Sequence, residues 1–303
     1  MSARLDRLTL LQTFSRIVER GSISAAARDL GMSQASASRQ LAQLERRIGA
    51  TLLSRNTHSL ALTEQGRLVL AGARDLLAGW DDLLDGVRGE EGALRGAIKA
   101  VAPVALGQLF LTRAVLAFQM RHPELDITLV LDDAELRFVE VGCDLWVRIG
   151  QPADDTLVVR RAGRVERMIV AAPGLLQGVS IRAPEDLSAL PALALSPFEG
   201  EDIPLSSGPD TFRLSTDAVL ATNNIFALYE ATLQGLGFAV LPRWMVASDL
   251  ASGALVDVLP DWRAPELDIT LCYTPANRTS RRLTALRDAM EHAIAMIDGV
   301  APP

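Results

Sequence analysis

The stretch Gly21-Ser-Ile-Ser-Ala-Ala-Ala-Arg-Asp-Leu-Gly-Met-Ser-Gln-Ala-Ser-Ala-Ser-Arg-Gln-Leu41 reads as a short helix, a tight turn and the start of a second helix. Gly21 and Gly31 stand where helices should end, because glycine takes the left-handed conformation that closes a helix C-terminus. Ser24 and Ser33 stand where the following helices should begin, each with a hydroxyl able to accept from an orphan backbone N–H.

Working outward, a helix over about Asp6 to Arg20 carries Leu8, Leu11, Phe14, Ile17 and Val18 on one stripe, a packing face. Downstream, a helix from Gln34 to Ile48 is closed by Gly49. On a helical wheel Ala37, Leu41, Leu44 and Ile48 fall on one side. Ala35, Ser36, Arg39, Ala42, Gln43 and Arg46 fall opposite, with Gln34, Ser38 and Gln40 on the flanks. A small, polar, cationic face suits base edges in the major groove, where Arg and Gln make bidentate contacts and Ser or Ala meets a phosphate or a thymine methyl. An ordinary solvated face is the alternative for a helix taken alone. Beyond Gly49, Thr51-Leu-Leu-Ser-Arg55 and Leu60-Ala-Leu-Thr63 flank a polar tip and read as a hairpin. Such a wing can set Arg55, Thr57 and His58 against the DNA backbone or minor groove.

Residues 8 to 66 resemble the winged helix-turn-helix domain of LysR-type transcriptional regulators. The motifs that carry the resemblance are Phe14 through Gly21-Ser22, Ser24-Ala-Ala-Ala-Arg28, Ser33-Gln34, Ser38-Arg39-Gln40, Leu44-Glu45, Gly49, Arg55 and Leu62-Thr-Glu-Gln-Gly66. His58 departs from the family's frequent second wing arginine, and the Ser36-Ala37 pair departs from its commoner small-then-branched pair. The residues expected to touch DNA are Ser33, Gln34, Ala35, Ser36, Ser38, Arg39, Gln40, Arg55, Thr57 and His58. Charge supports the division: residues 1 to 67 hold ten Arg against five carboxylates, a surplus of five. The whole chain is at −7, so the remainder is at −12. The positive charge sits where phosphates would be met.

From Thr63, a plausible N-cap, to about Glu91 the chain reads as one long helix. Val69, Ala73, Leu76, Trp80, Leu83 and Val87 recur at alternating spacings of four and three, a coiled-coil seam. Val69, Leu76, Trp80, Leu83 and Val87 are therefore the candidate dimerisation residues, with an amphipathic helix packed on its own domain as the alternative. Two copies would read two half-sites, and the resemblance likewise implies pairing through this linker.

Gly86, Gly89, Gly92 and Gly96 mark a boundary. Beyond it strands near Ala97–Val101, Ile127–Leu131, Leu145–Ile149, Leu193–Ser196, Phe238–Leu241 and Ile269–Tyr273 alternate with helices near Leu106–Arg121, Ile225–Gln234 and Arg281–Ile297, an α/β pattern. The heptapeptide Pro-Glu-Leu-Asp-Ile-Thr-Leu occurs twice, from Pro123 and from Pro265, and suits a strand entered after proline. The resemblance implies a two-lobed, Rossmann-like effector domain similar to periplasmic solute-binding proteins. The expected organisation is residues 1–66 for DNA binding, 67–92 for the linker and 93–303 for the effector domain. Within the last, lobe I takes 93–163 with 268–303, and lobe II takes 164–267.

Ligands of open α/β sheets sit beyond the carboxyl ends of strands, which selects Pro103, Val104, Ala105, Arg148, Ser196, Asn223 and Asn224. The family's Ser or Thr after the first strand is absent here, and Asp132, Asp133 and Glu135 add negative charge. Arg148 is either an anion partner or a salt-bridge partner of those acids. Enzyme chemistry finds no support: Gly235-Leu-Gly precedes a strand rather than opening a helix, no nucleophile elbow is present, and His58, His122 and His292 lack metal-ligand spacing. Cys143 and Cys272 fit buried thiols in a reducing cytoplasm, a redox pair being the alternative. With no signal peptide and no membrane-spanning run, the expectation is a cytoplasmic regulator without catalytic activity, metal or cofactor. Its expected partners are double-stranded promoter DNA, a small-molecule effector and itself, as a homodimer or homotetramer.

Overall fold

A computed structural model describes residues 6–56, 59–88, 93–134, 138, 142–196, 202–215 and 217–303. Three helices open it: α1 (Arg7–Arg20), α2 (Ile23–Asp29) and α3 (Gln34–Ile48). Their apolar stripes close on one core of Leu10, Phe14, Ile17, Ala26, Leu41 and Leu44, completed by Leu52, Leu53 and Leu70. Gly21 ends α1 and Gly49 ends α3 in the left-handed conformation. The cap of α2 is Ser22, not the expected Ser24: the Ser22 backbone is extended and its Oγ accepts from the Ala25 N–H, which leaves Ser24 inside the first turn. Ile48, expected inside, is 42% exposed because the last turn of α3 runs past the edge of this core.

A two-stranded antiparallel hairpin follows, β1 (Leu53–Asn56) with β2 (Ser59–Leu62), and then the 25-residue helix α4 (Glu64–Arg88). Thr63 caps α4 as expected, its Oγ1 accepting from the Gly66 N–H at 2.9 Å. The same hydroxyl donates to the Thr51 carbonyl at 2.7 Å, which ties the hairpin to the linker.

The remaining described residues build four sheets with helices packed on them. The largest has six strands in the order β15-β6-β14-β5-β3-β4. These are β3 (Gly96–Ala102), β4 (Leu125–Leu131), β5 (Leu145–Ile149), β6 (Val158–Val165), β14 (Leu267–Tyr273) and β15 (Val300–Ala301). Between β3 and β4 a continuous helical run comprises α5 (Val104–Leu106), a π turn (Gly107–Leu111) and α6 (Thr112–Arg121). The second lobe holds β7 (Arg167–Ala171), β8 (Ala192–Leu195), the hairpin β9 (Ile203–Ser207) with β10 (Asp210–Leu214), β11 (Ala218–Thr222), α7 (Ile225–Leu233), β12 (Ala239–Pro242), α8 (Arg243–Ser252) and β13 (Val256–Asp257). The helix α9 (Arg281–Ala295) returns to cover the six-stranded sheet.

The chain crosses between lobes at Glu166, immediately after β6 and two residues beyond the expected 163/164 break, and returns ahead of β14. Strands β3, β4 and β5 are parallel, and β6 runs in the same sense because both it and β5 are antiparallel to β14. The carboxyl ends of these four strands therefore share one edge, and β12, which pairs with β7 down to Arg167, brings the second lobe's strand ends to that edge. Strands β8 and β11 run parallel to β12 through the Ala192–Phe238 bridge. Strands β6, β7, β9, β10, β11, β13 and β15 and helix α8 are additions to the expected set.

Candidate nucleic-acid interface and effector cleft

The N-terminal turn of α3 carries a connected line of polar groups. Ser33 Oγ accepts from the Ser36 N–H at 3.1 Å and lies 2.9 Å from Ser36 Oγ; Arg39 Nη2 donates to Ser36 Oγ at 3.3 Å. Gln34, Ala35 and Arg39 are exposed, and Ser36 and Ser38 are half-buried on the same side. Gln40, expected on the DNA side, is not there. It is buried, and its Oε1 accepts from Thr13 Oγ1 at 2.6 Å, because on the wheel it lies beside the buried Ala37 and Leu44 and is turned towards α1.

Glu45, named above only within the Leu44-Glu45 motif, is a positioning residue. Its Oε1 accepts from the Leu52 N–H at 2.8 Å and from the Leu53 N–H at 3.5 Å, which fixes the start of the hairpin against α3. A carboxylate in the last turn opposes the helix dipole, and that misfit was the available signal. Arg55 lies in β1, in register with Leu60. Thr57 and His58 fall outside the described residues.

The linker seam differs in phase from the expected one. Val69 packs against the DNA-binding core and Ala73 is buried, so the N-terminal half of that stripe is spent within the chain. Leu76, Trp80 and Leu83 are exposed, as is Leu68. Gly72 and Gly79, on the Leu76–Leu83 stripe, have open space where a Cβ would stand. The free face is thus Leu68, Gly72, Leu76, Gly79 and Leu83, with Trp80 beside it. The Val87 side chain falls outside the described residues.

At the edge shared by the lobes, the expected anion position is occupied from within. The Val104 N–H, at the start of the helical run after β3, donates to Asp133 Oδ1 at 2.9 Å. Ala105 is buried among Met168, Leu241 and Met245 of the second lobe and is an interlobe packing residue, not a surface for ligand. Beside it Phe110 meets Trp244 edge to face, ring centroids 5.5 Å apart. The crossing itself is held by Glu166, which pairs with Arg243 at 3.2 Å, and by Arg167, whose Nε donates to the Pro265 carbonyl at 2.8 Å.

Of the other expected residues, Pro103 and Ser196 are half-buried at strand ends, and the Ser196 N–H donates to the Thr222 carbonyl. Arg148 lies over the Trp146 ring, 5.0 Å from its centroid. Asn223 is exposed. Asn224 Oδ1 accepts from the Phe226 and Ala227 N–H groups, so its carbonyl caps α7 and is not offered to a ligand.

The structure brings together two histidines that stand far apart in sequence. His122 and His292 line a surface pocket of about 300 Å³ with Phe118, Arg121, Ala285, Asp288 and Ala289. Among the described residues no group of three His, Cys, Asp or Glu is placed to hold a metal ion. Cys143 and Cys272 are free and buried in one apolar cluster with Trp146 and Val101. Burial pushes both thiols above their ordinary range, which disfavours the reactive thiolate.

Residues 8–67 match the model of the bacterial regulatory helix-turn-helix protein of the lysR family, and residues 91–295 match the LysR substrate binding domain. The transcriptional regulator PtxR of Pseudomonas aeruginosa is 31% identical over 300 residues, covering 96% of each chain. The full-length structure of the Vibrio cholerae virulence activator AphB is 25% identical, with a TM-score of 0.58 over 94% of this chain and 98% of that one. The fold is also that of LysG of Corynebacterium glutamicum with its effector arginine bound: 19% identity, TM-score 0.67, 98% of this chain and 100% of that one.

Proposed function

The chain belongs to the LysR family of transcriptional regulators, a DNA-binding regulator with an effector-binding domain, and from that premise we propose which of its residues do the work. Ser36 and Arg39, on the exposed face of α3, read base edges. Ser33, Gln34, Ala35 and Ser38 sit around them at the rim of the groove, and the β1–β2 hairpin brings Arg55 and the tip with Thr57 and His58 to the backbone. The observation that carries this reading is the Ser33–Ser36–Arg39 line. A side chain already oriented by its neighbours loses less freedom on meeting a base.

Two chains pair through the Leu68, Gly72, Leu76, Gly79 and Leu83 face of α4, with Trp80 and Val87 beside it. Exposed Leu116 and Met120 on α6 offer a second apolar surface for a tetramer. The effector is a small molecule that enters between the strand ends and meets Pro103, Arg148, Ser196 and Asn223. Its binding shifts the balance between lobe arrangements and hence the spacing of the DNA-reading helices. No helix among the described residues is long and apolar enough to cross a membrane, and a regulator of this kind works in the cytoplasm.

Footprinting on the DNA upstream of its own gene and of a divergent neighbour tests the reading. Protection of two half-sites one or more helical turns apart is expected. Absence of protection at moderate salt would sink it.

A further inference from the structure

Arg74 stands where three parts of the chain meet. It lies on α4 between the buried Ala73 and Asp75, whose carboxyl is hydrogen-bonded by the Thr274 side chain. Its guanidinium packs so closely on Gly142 that a Cβ there would displace it, and Gly142 has a φ of 69°, a conformation that favours glycine. Two residues on, Asp144 leads into β5. Its Oδ2 accepts from the Lys99 N–H at 2.8 Å and its own N–H donates to the Lys99 carbonyl at 2.8 Å, which locks it to β3.

Charges alternate through this junction. Glu19, exposed near the end of α1 and paired with Arg16 at 3.2 Å, is felt by Arg74; Arg74 is felt by Asp144, and Asp144 also by Arg282 near the start of α9. Burial lowers the pKa of the Arg74 guanidinium while Glu19 and Asp144 raise it. A buried charge is tolerated where its partners are in place and is costly where one withdraws.

The strands that Asp144 locks together both run to the edge shared by the lobes: β5 carries Arg148, and Pro103 follows the end of β3 at Ala102. A shift of lobe I on effector binding therefore moves Asp144 against a guanidinium that also answers to a carboxylate of the DNA-binding domain.

We propose that Arg74 is the residue through which the effector domain and the DNA-binding domain of one chain sense each other. The proposal rests on the regulator reading and adds a route within the subunit, separate from pairing between subunits. Coupling between two sites is reciprocal, so the unknown effector is not needed to test it: DNA bound at one end must alter lobe I at the other.

The test is amide hydrogen exchange over residues 142–146 of the full-length protein, with and without a duplex from upstream of its own gene. In the wild type, DNA binding should change exchange there by about 5-fold or more. Arg74→Met should still bind the duplex yet lose that response. Glu19→Gln, which removes a charge from an exposed side chain and leaves the core intact, should lose most of it as well. Arg74→Lys should keep part. The proposal is overturned if Arg74→Met and Glu19→Gln both respond as the wild type does, or if the wild type binds the duplex and shows no response. A wild type that binds no duplex fails the regulator reading, and this proposal with it.

Discussion

Thr13 Oγ1 on α1 donates a 2.6 Å hydrogen bond to Gln40 Oε1 on α3, and both residues are buried. A polar residue inside the best-marked DNA-reading motif therefore belongs to the joint between two helices. Gln40→Ala takes one acceptor from the buried Thr13 hydroxyl, which keeps the Thr9 carbonyl at 2.9 Å, and should cost about 1 kcal/mol. We expect a lower Tm by calorimetry and an unchanged preference for specific over nonspecific DNA. A loss of preference at unchanged Tm would return Gln40 to the interface.

Arg39 is the opposite case, exposed and held by Ser36. A bidentate contact to a base is worth about 1–3 kcal/mol of discrimination. Arg39→Ala should thus weaken operator binding by roughly 10-fold or more while nonspecific affinity falls much less. Equal losses on both DNAs, with a shallower salt dependence, would make Arg39 a phosphate contact instead.

Local spacing made the helices of the DNA-binding domain legible, because caps and apolar stripes are contacts between near neighbours. The twice-used heptapeptide marks where that stops. Beginning at Pro123 it forms edge strand β4 with Asp126 exposed; beginning at Pro265 it forms central strand β14, where Thr270 is fully buried and Asp268 pairs with Arg161 at 2.9 Å. The strand is encoded locally and its burial is not. The cleft escaped for the same reason: Val104 meets Asp133, Ala105 meets the second lobe and Phe110 meets Trp244, pairings that no period announces. The linker was half legible, since its spacing was correct but Val69 and Ala73 are turned to their own domain.

The Asp133 carboxylate fills the place an anion would take at the start of the helical run after β3. Asp133→Ala frees the Val104 N–H and should cost about 1 kcal/mol in stability. It should also create a response absent from the wild type: a rise in Tm with added sulfate or acetate, over and above that in chloride of equal ionic strength. If both proteins respond alike, the Val104 N–H is open to solvent anions despite Asp133.

The exposed stripe on α4 places Leu76 and Leu83 seven residues apart, with Gly79 between them and Gly72 a turn before. Seven residues is two turns of a helix wound on a partner, so both leucines return to one seam, and glycines on that seam let two backbones approach closely. A single helix gains nothing from leaving such a stripe in water, where each leucine forgoes about 1.5–3 kcal/mol of burial. Leu76→Asp with Leu83→Asp puts facing carboxylates into the seam of any dimer while touching no core contact of the monomer. Sedimentation should then report a lighter species and operator affinity should collapse, with the thermal transition of the effector domain unmoved. A mass equal to that of the wild type would show that pairing runs through another surface, and the α6 stripe of Leu116 and Met120 would be the next to change.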